Sequence, residues 1–173
     1  VVVETGGGSS QFTFGEGDRI AERFSVDVGA VRLTEAHGLD GPVPAETLAA
    51  ALAQASSELG RLADRPPPDA LVGMGGAFTN LAAVRHGLTV YDPAVIEGTV
   101  LDRPEIDRQI ELYRTSTAEE RSHIPGLQQG RAEVILAGSV IVRAILDALG
   151  AGSVTVTDRG LRHALVGERF EAD

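Results

Sequence analysis

A triple glycine near the start of the chain is the feature that most limits its fold. Residues 5–10 read Thr-Gly-Gly-Gly-Ser-Ser and lie between strand-like runs at 1–5 and 11–15. Glycine has no Cβ, so three in a row let the backbone take positive φ and bring its N–H groups against an anion. We predict a β-hairpin whose turn binds phosphate through Gly6, Gly7, Gly8, Ser9 and Ser10. The alternative is a tight turn with no ligand.

A single carboxylate, Glu4, precedes this turn in the sequence. A carboxylate that leaves a strand beside a phosphate-binding turn is suited to hold a divalent cation such as Mg²⁺, because that ion prefers oxygen ligands. The alternative is a solvated strand residue. We predict that Glu4 is a metal ligand.

The basic residues are all arginine: the chain has 15 Lys+Arg, and no lysine occurs in the sequence. A Walker-type phosphate loop needs Gly-Lys-Ser/Thr and a Schiff-base enzyme needs an amine, so both classes are excluded for this segment. The absence of cysteine excludes disulfides, thiolate zinc sites and a cysteine nucleophile. Phosphate recognition must therefore use backbone amides, hydroxyls, arginine or a metal.

The formal net charge is −10 at pH 7, which argues against a nucleic-acid or anionic-membrane partner. No uncharged apolar run of about 18 residues is present to cross a membrane. A cytoplasmic location is the expectation. The opening Val-Val-Val looks like a strand already under way, so we expect the chain to begin inside a larger protein.

The remaining pattern predicts an α/β chain with a mixed sheet of about five strands and helices on both faces. Further strands are expected at 19–28, 70–73, 88–90 and 153–157. Helices are expected at 29–35, 44–63, 77–86, 104–114 and 131–149, with a last one capped by Asp158. Arg131 is expected to be the structural charge partner of Glu133, which lies on the apolar helix.

A second anion-binding junction is predicted where a buried strand meets Gly75 and Gly76 and a helix follows. Free N–H groups at a helix N-terminus bind phosphate or a nucleotide sugar; the alternative is close packing of strand and helix. A dinucleotide fingerprint fails because Phe78 stands where its third glycine is required. Arg32 lies one turn from Gly29 and is expected to approach bound phosphate or to pair with a nearby carboxylate.

Five motifs in order resemble the exopolyphosphatase and guanosine pentaphosphate phosphatase (Ppx/GppA) family of the actin-like ATPase superfamily. The glycine hairpin is the first, and the match extends over roughly residues 1 to 168. The other four motifs are Val28–Glu35, Gly73–Gly76, Gly130–Gly138 and Thr157–Arg162.

The resemblance implies a ribonuclease-H-like lobe, with residues 1–173 as one domain and the second, C-terminal lobe of a two-lobed phosphatase. The first lobe, with the carboxylate expected to activate water, is absent from this chain. Polyphosphate or guanosine pentaphosphate is the implied substrate, a divalent cation the implied cofactor, and a homodimer the common assembly. We expect the isolated lobe to be inactive.

The chain departs from the family pattern at three positions. The family usually has aspartate at position 4 and glutamate at position 11, where this chain has Glu4 and Gln11, and Ala77 replaces a common hydroxyl residue. Glu4 and Gln11 are the candidate catalytic residues of a hydrolase. Since Gln11 carries no charge, a non-catalytic polyphosphate or nucleotide sensor is the alternative. A lobe of an actin-like ATPase or sugar kinase does not account for the motifs at 131–138 and 158–161.

Overall fold

The computed structural model describes residues 1–160, which form a six-stranded mixed sheet with helices. The strand order is β3-β2-β1-β4-β6-β5; β1, β4 and β6 run parallel, and the other three are antiparallel to their neighbours. The predicted α/β mixed sheet is confirmed, with six strands instead of about five. The strands are β1 (Val2–Thr5), β2 (Ser10–Glu16), β3 (Arg19–Val26), β4 (Val72–Met74), β5 (Val100–Asp102) and β6 (Ser153–Val156).

Seven α-helices occur within the described residues, and two 3₁₀ turns lie at Leu59–Leu62 and Gln129–Arg131. None of these helices is long and apolar enough to span a membrane. The helices are α1 (Ala30–His37), α2 (Ala45–Glu58), α3 (Gly76–His86), α4 (Pro93–Ile96), α5 (Arg103–Arg114), α6 (Ala118–Ser122) and α7 (Ile135–Ala148).

The buried residues of the strands share one face of the sheet. Val3 lies opposite Phe12 on β2 and Gly73 on β4, and all three are buried. Gly73 permits this packing, since a Cβ there would lie 2.3 Å from the ring of Phe78 on α3. Behind α3, the buried helix α7 packs against α1, α2, α3 and α5. The core thus lies on one side of the sheet.

The opposite face is more exposed between residues 1 and 160. Glu4 and Gln11, which alternate with buried neighbours, are exposed there, and Met74 is half-buried. This alternation is the pattern of a sheet with one covered face. Helices were expected on both faces, but within residues 1–160 the buried side chains of the strands lie on one face only. The helix predicted to begin after Asp158 lies outside the described residues.

Three of the expectations about the elements differ from the structure. Residues 88–90 form a loop, because Gly87 ends α3 in the left-handed conformation and Val90 is 78% exposed. The missed strand is β5, which ends at Asp102, the N-cap of α5. The helix expected from residue 131 begins at Ile135.

Candidate functional site

Three parallel strands end at the same edge of the sheet, and a polar loop follows each. The glycine turn follows β1, Gly75 and Gly76 follow β4, and Thr157 and Asp158 follow β6. In open α/β sheets, ligands bind outside the carboxyl ends of parallel strands. Both predicted phosphate loops therefore lie at one edge.

The glycine turn is fixed by the first turn of α1. The amides of Ala30 and Val31 donate to the carbonyl oxygens of Gly6 and Gly7, each at 2.9 Å. In a trans peptide the N–H points opposite to the C=O of the preceding residue. The Gly7 and Gly8 amides consequently point away from α1, and neither has an acceptor within residues 1–160. The turn offers two open donors at the sheet edge.

Gly29 allows this contact, and its role was missed from the sequence. Its φ is −148°, so the requirement is one of space and not of backbone conformation. A Cβ on Gly29 would lie 2.4 Å from the Gly7 oxygen and 2.4 Å from the Gly8 carbonyl carbon. Any side chain at position 29 displaces the turn.

The two serines of the turn have different surroundings. Ser10 is fully buried, and its hydroxyl donates to the Val28 carbonyl at 2.9 Å. Ser9 Oγ accepts a hydrogen bond from Gln11 Nε2 at 2.7 Å, which leaves its hydroxyl hydrogen for another acceptor. Ser9 is therefore suited to contact a ligand, whereas Ser10 anchors the hairpin.

Gly75 brings the second loop against the end of β1. Its φ is +89°, a conformation that favours glycine, and a Cβ there would lie 3.4 Å from Glu4 Cγ. Helix α3 starts at Gly76 without a side-chain cap, so its first amides remain donors. Ala77 lies close to Gly138 of α7, where an added Cβ would stand 3.2 Å from the Ala77 Cβ.

Arg131 is a site residue that the sequence analysis missed. Its guanidinium carbon lies 2.8 Å from where a Cβ on Gly76 would stand. Arg131 is exposed, and across residues 1–160 it forms no ion pair, with Glu133 or any other carboxylate. A cation at a helix N-terminus faces the positive end of the helix dipole. An anion in contact with both the Arg131 guanidinium and the first amides of α3 would relieve this repulsion.

Glu4 and Gln11 lie side by side on the exposed face of the sheet. They are opposite each other in the β1–β2 ladder. No cluster of three metal-ligating side chains occurs in the described part of the chain. Mg²⁺ often uses only one or two carboxylates together with substrate phosphates, so Glu4 beside an anion site fits that ion.

Arg32 enters the site through its backbone amide, which donates to the Gly7 carbonyl at 3.2 Å. Its side chain is exposed at the start of α1. As far as the structure describes the chain, it forms no ion pair with Glu35 or Asp27. Arg32 is thus placed beside the turn without a carboxylate partner from its own segment.

The loop after β6 uses its polar groups internally. The Tyr91 hydroxyl donates to Asp158 Oδ1 at 2.5 Å, and burial together with this bond raises the pKa of Tyr91 to about 12. The Asp158 amide in turn donates to Glu97 at 3.0 Å. These bonds fix the third loop, and the open donors at this edge are those of the first two loops.

Comparisons with known proteins agree on one family. The family model of the Ppx/GppA phosphatases matches residues 1–171. A crystal structure of the Ppx/GppA phosphatase of Aquifex aeolicus superposes with a TM-score of 0.90 at 32% identity, over 98% of this chain and 56% of that one.

Two curated relatives are similar over nearly the whole chain. Exopolyphosphatase 2 of Mycobacterium tuberculosis is 27% identical over 93% of this chain and 52% of its own length. A bifunctional 3-dehydroquinate synthase/phosphatase of Fusobacterium nucleatum is 30% identical over 91% of this chain and 24% of its own length. The chain spans about half of the exopolyphosphatase and about a quarter of the bifunctional protein.

Proposed function

The chain belongs to the Ppx/GppA phosphatase family, and on that premise we propose that it is the C-terminal lobe of a phosphoanhydride hydrolase. The substrate is polyphosphate or guanosine pentaphosphate, and the reaction is metal-assisted attack of water on the terminal phosphate. What supports this most directly is that the Gly7 and Gly8 amides, the start of α3 and Arg131 converge at one sheet edge.

The donors at this edge match what phosphoryl transfer requires. Such a reaction depends mainly on positioning and on stabilising charge on the phosphoryl oxygens. The Gly7 and Gly8 amides and the Ser9 hydroxyl bind non-bridging oxygens of one phosphate. The start of α3 and the Arg131 guanidinium bind the neighbouring phosphate, for which a planar guanidinium is well suited.

A divalent cation is part of this proposal, and Glu4 is the residue that would hold it. Gln11 offers an amide oxygen beside Glu4 as a neutral ligand. When bound, the cation offsets negative charge on the phosphoryl group and on the leaving oxygen. Because the chain's own net charge is −10, a phosphate chain would be repelled without the positive charge of the cation.

The group that activates water is proposed to lie in the first lobe, outside this chain. The chain spans 56% of the Aquifex aeolicus structure, which leaves room in a relative for a second lobe across a cleft. Within this proposal residues 1–173 bind phosphate weakly and hydrolyse nothing alone. A homodimer and a cytoplasmic location remain predictions.

A phosphate sensor is a second candidate, favoured by one observation. Gln11 donates to Ser9, where a carboxylate would instead accept the Ser9 hydroxyl hydrogen. The neutral amide thus frees Ser9 to bind a phosphate oxygen, while it removes one negative charge from the metal site. This arrangement favours binding over turnover.

Substitutions at positions 4 and 11 of the full-length protein distinguish the two candidates. We expect Glu4→Gln to lower Mg²⁺-dependent phosphate release from polyphosphate by at least about 100-fold, since loss even of a group that only supports a metal ligand costs about 10- to 100-fold. If the native protein is already an active enzyme, Gln11→Glu should change its turnover by less than about threefold. Glu16→Gln, at the far end of β2, is the matched control. No release by the native protein, with release gained in Gln11→Glu, would identify a sensor.

A further inference from the structure

Arg121 is a fully buried charged side chain to which the proposed chemistry assigns no role. It lies on α6 with 0% exposure. Its guanidinium donates to four backbone carbonyl oxygens and thereby saturates most of its donors. The acceptors are Leu39 at 2.8 Å, Gly41 at 2.8 Å, Tyr113 at 2.9 Å and Ala132 at 3.2 Å.

The groups that bond this charge are carbonyl oxygens, and Asp40 acts on it only through space. Within residues 1–160 no acidic group lies in ion-pair range of Arg121. Burying a guanidinium is costly unless its donors are satisfied, and desolvation lowers the pKa of Arg121. The four carbonyls offset that cost only while the three segments that supply them stay together. Arg121 therefore ties the loop after α1, the end of α5 and the segment before α7.

The segment before α7 carries Arg131, which lies at the proposed phosphate-binding edge of the sheet. Ala132, whose carbonyl accepts from Arg121, is the next residue along the chain. At the other end of the same segment, the Gln128 amide donates to Asn80 Oδ1 on α3 at 2.9 Å. The 3₁₀ turn between these two anchors holds Arg131 over Gly76.

We propose that Arg121 is a positioning residue for the phosphate site: by holding the Ala132 carbonyl, it sets where the Arg131 guanidinium stands relative to the amides at the start of α3. This inference rests on the proposed function of the edge.

The test is the affinity of the full-length protein for tripolyphosphate, measured by calorimetry beside thermal unfolding. Arg121→Lys keeps the charge but loses the planar fork that reaches several carbonyls. We expect affinity to fall about tenfold, the effect of weakening one charge-assisted contact to phosphate.

Arg114→Lys is the matched control. Arg114 Nη1 donates to the Val43 carbonyl at 3.0 Å, so it fastens α5 to the same loop without bonding the segment before α7. It should lower the unfolding temperature and leave affinity unchanged.

A double-mutant cycle distinguishes positioning of the Arg131 guanidinium by Arg121 from a general stabilisation of the fold. In an Arg131→Ala background, Arg121→Lys should cause no further loss of affinity. An equal loss in both backgrounds, or a loss no larger than that of Arg114→Lys, overturns the inference. If Arg121→Lys does not fold, Arg121→Gln, which keeps two donors and buries no charge, gives the same comparison. A native protein that does not bind tripolyphosphate overturns the proposed function as well.

Discussion

Replacing Gly29 with alanine is expected to weaken phosphate-chain binding by the full-length protein strongly. The added Cβ overlaps the backbone of Gly7 and Gly8, at 2.4–2.5 Å from three main-chain atoms. No side-chain rotation relieves an overlap between a Cβ and main-chain atoms, so the turn must leave the start of α1. The Gly7 and Gly8 amides then lose their direction, and we expect polyphosphate affinity to fall at least about 100-fold, or ~2.7 kcal/mol.

Gly152→Ala is the matched control, because a Cβ there has no heavy atom within 4 Å. It should leave both stability and phosphate binding near their native values. Calorimetric titration of tripolyphosphate and urea unfolding of the two variants make the comparison. Gly29→Ala with native affinity would mean that the turn does not bind the ligand.

Removing the Arg131 side chain is expected to weaken tripolyphosphate binding by about 10- to 100-fold, since charge-assisted hydrogen bonds contribute ~1.5–3 kcal/mol. Stability should change little, because Arg131 is exposed and no ion pair within residues 1–160 is broken. Arg131→Lys should recover only part of the affinity, since an ammonium group lacks the planar fork of a guanidinium.

The control for general charge effects is Arg19→Ala. Arg19 is also an exposed arginine, but it pairs with Glu16 in the β2–β3 ladder, at the opposite end of the hairpin from the glycine turn. Titrations at low and moderate salt should show a weaker salt dependence for Arg131→Ala than for Arg19→Ala. Equal affinities of the two variants would remove Arg131 from the site.

The positions of the two glycine loops were predictable because glycine and strand patterning are local signals. Gly6, Gly7, Gly8 and Gly75 stand where the backbone turns at the end of a strand, and adjacent hydrophobic runs identify those strands. The α/β class and the family follow from the same order of motifs.

Other features depend on contacts between segments far apart in the chain. Arg131 reaches Gly76 across 55 positions because hydrogen bonds at Ala132 and Gln128, outside its own turn, hold the segment in place. No periodicity in the sequence indicates this contact. Ser10 looks identical to Ser9 in the sequence, yet the alternation of the strand turns its hydroxyl into the core. The three-residue strand β5 is too short to show a period of two.

Binding of a phosphate chain at the sheet edge can be tested directly by one measurement. It is a crystal structure of the full-length protein with a non-hydrolysable phosphonate analogue of tripolyphosphate. We expect analogue oxygens within about 3 Å of the Gly7 and Gly8 amide nitrogens and of the Arg131 guanidinium. An analogue bound elsewhere, with this edge unchanged and empty at saturation, would contradict it.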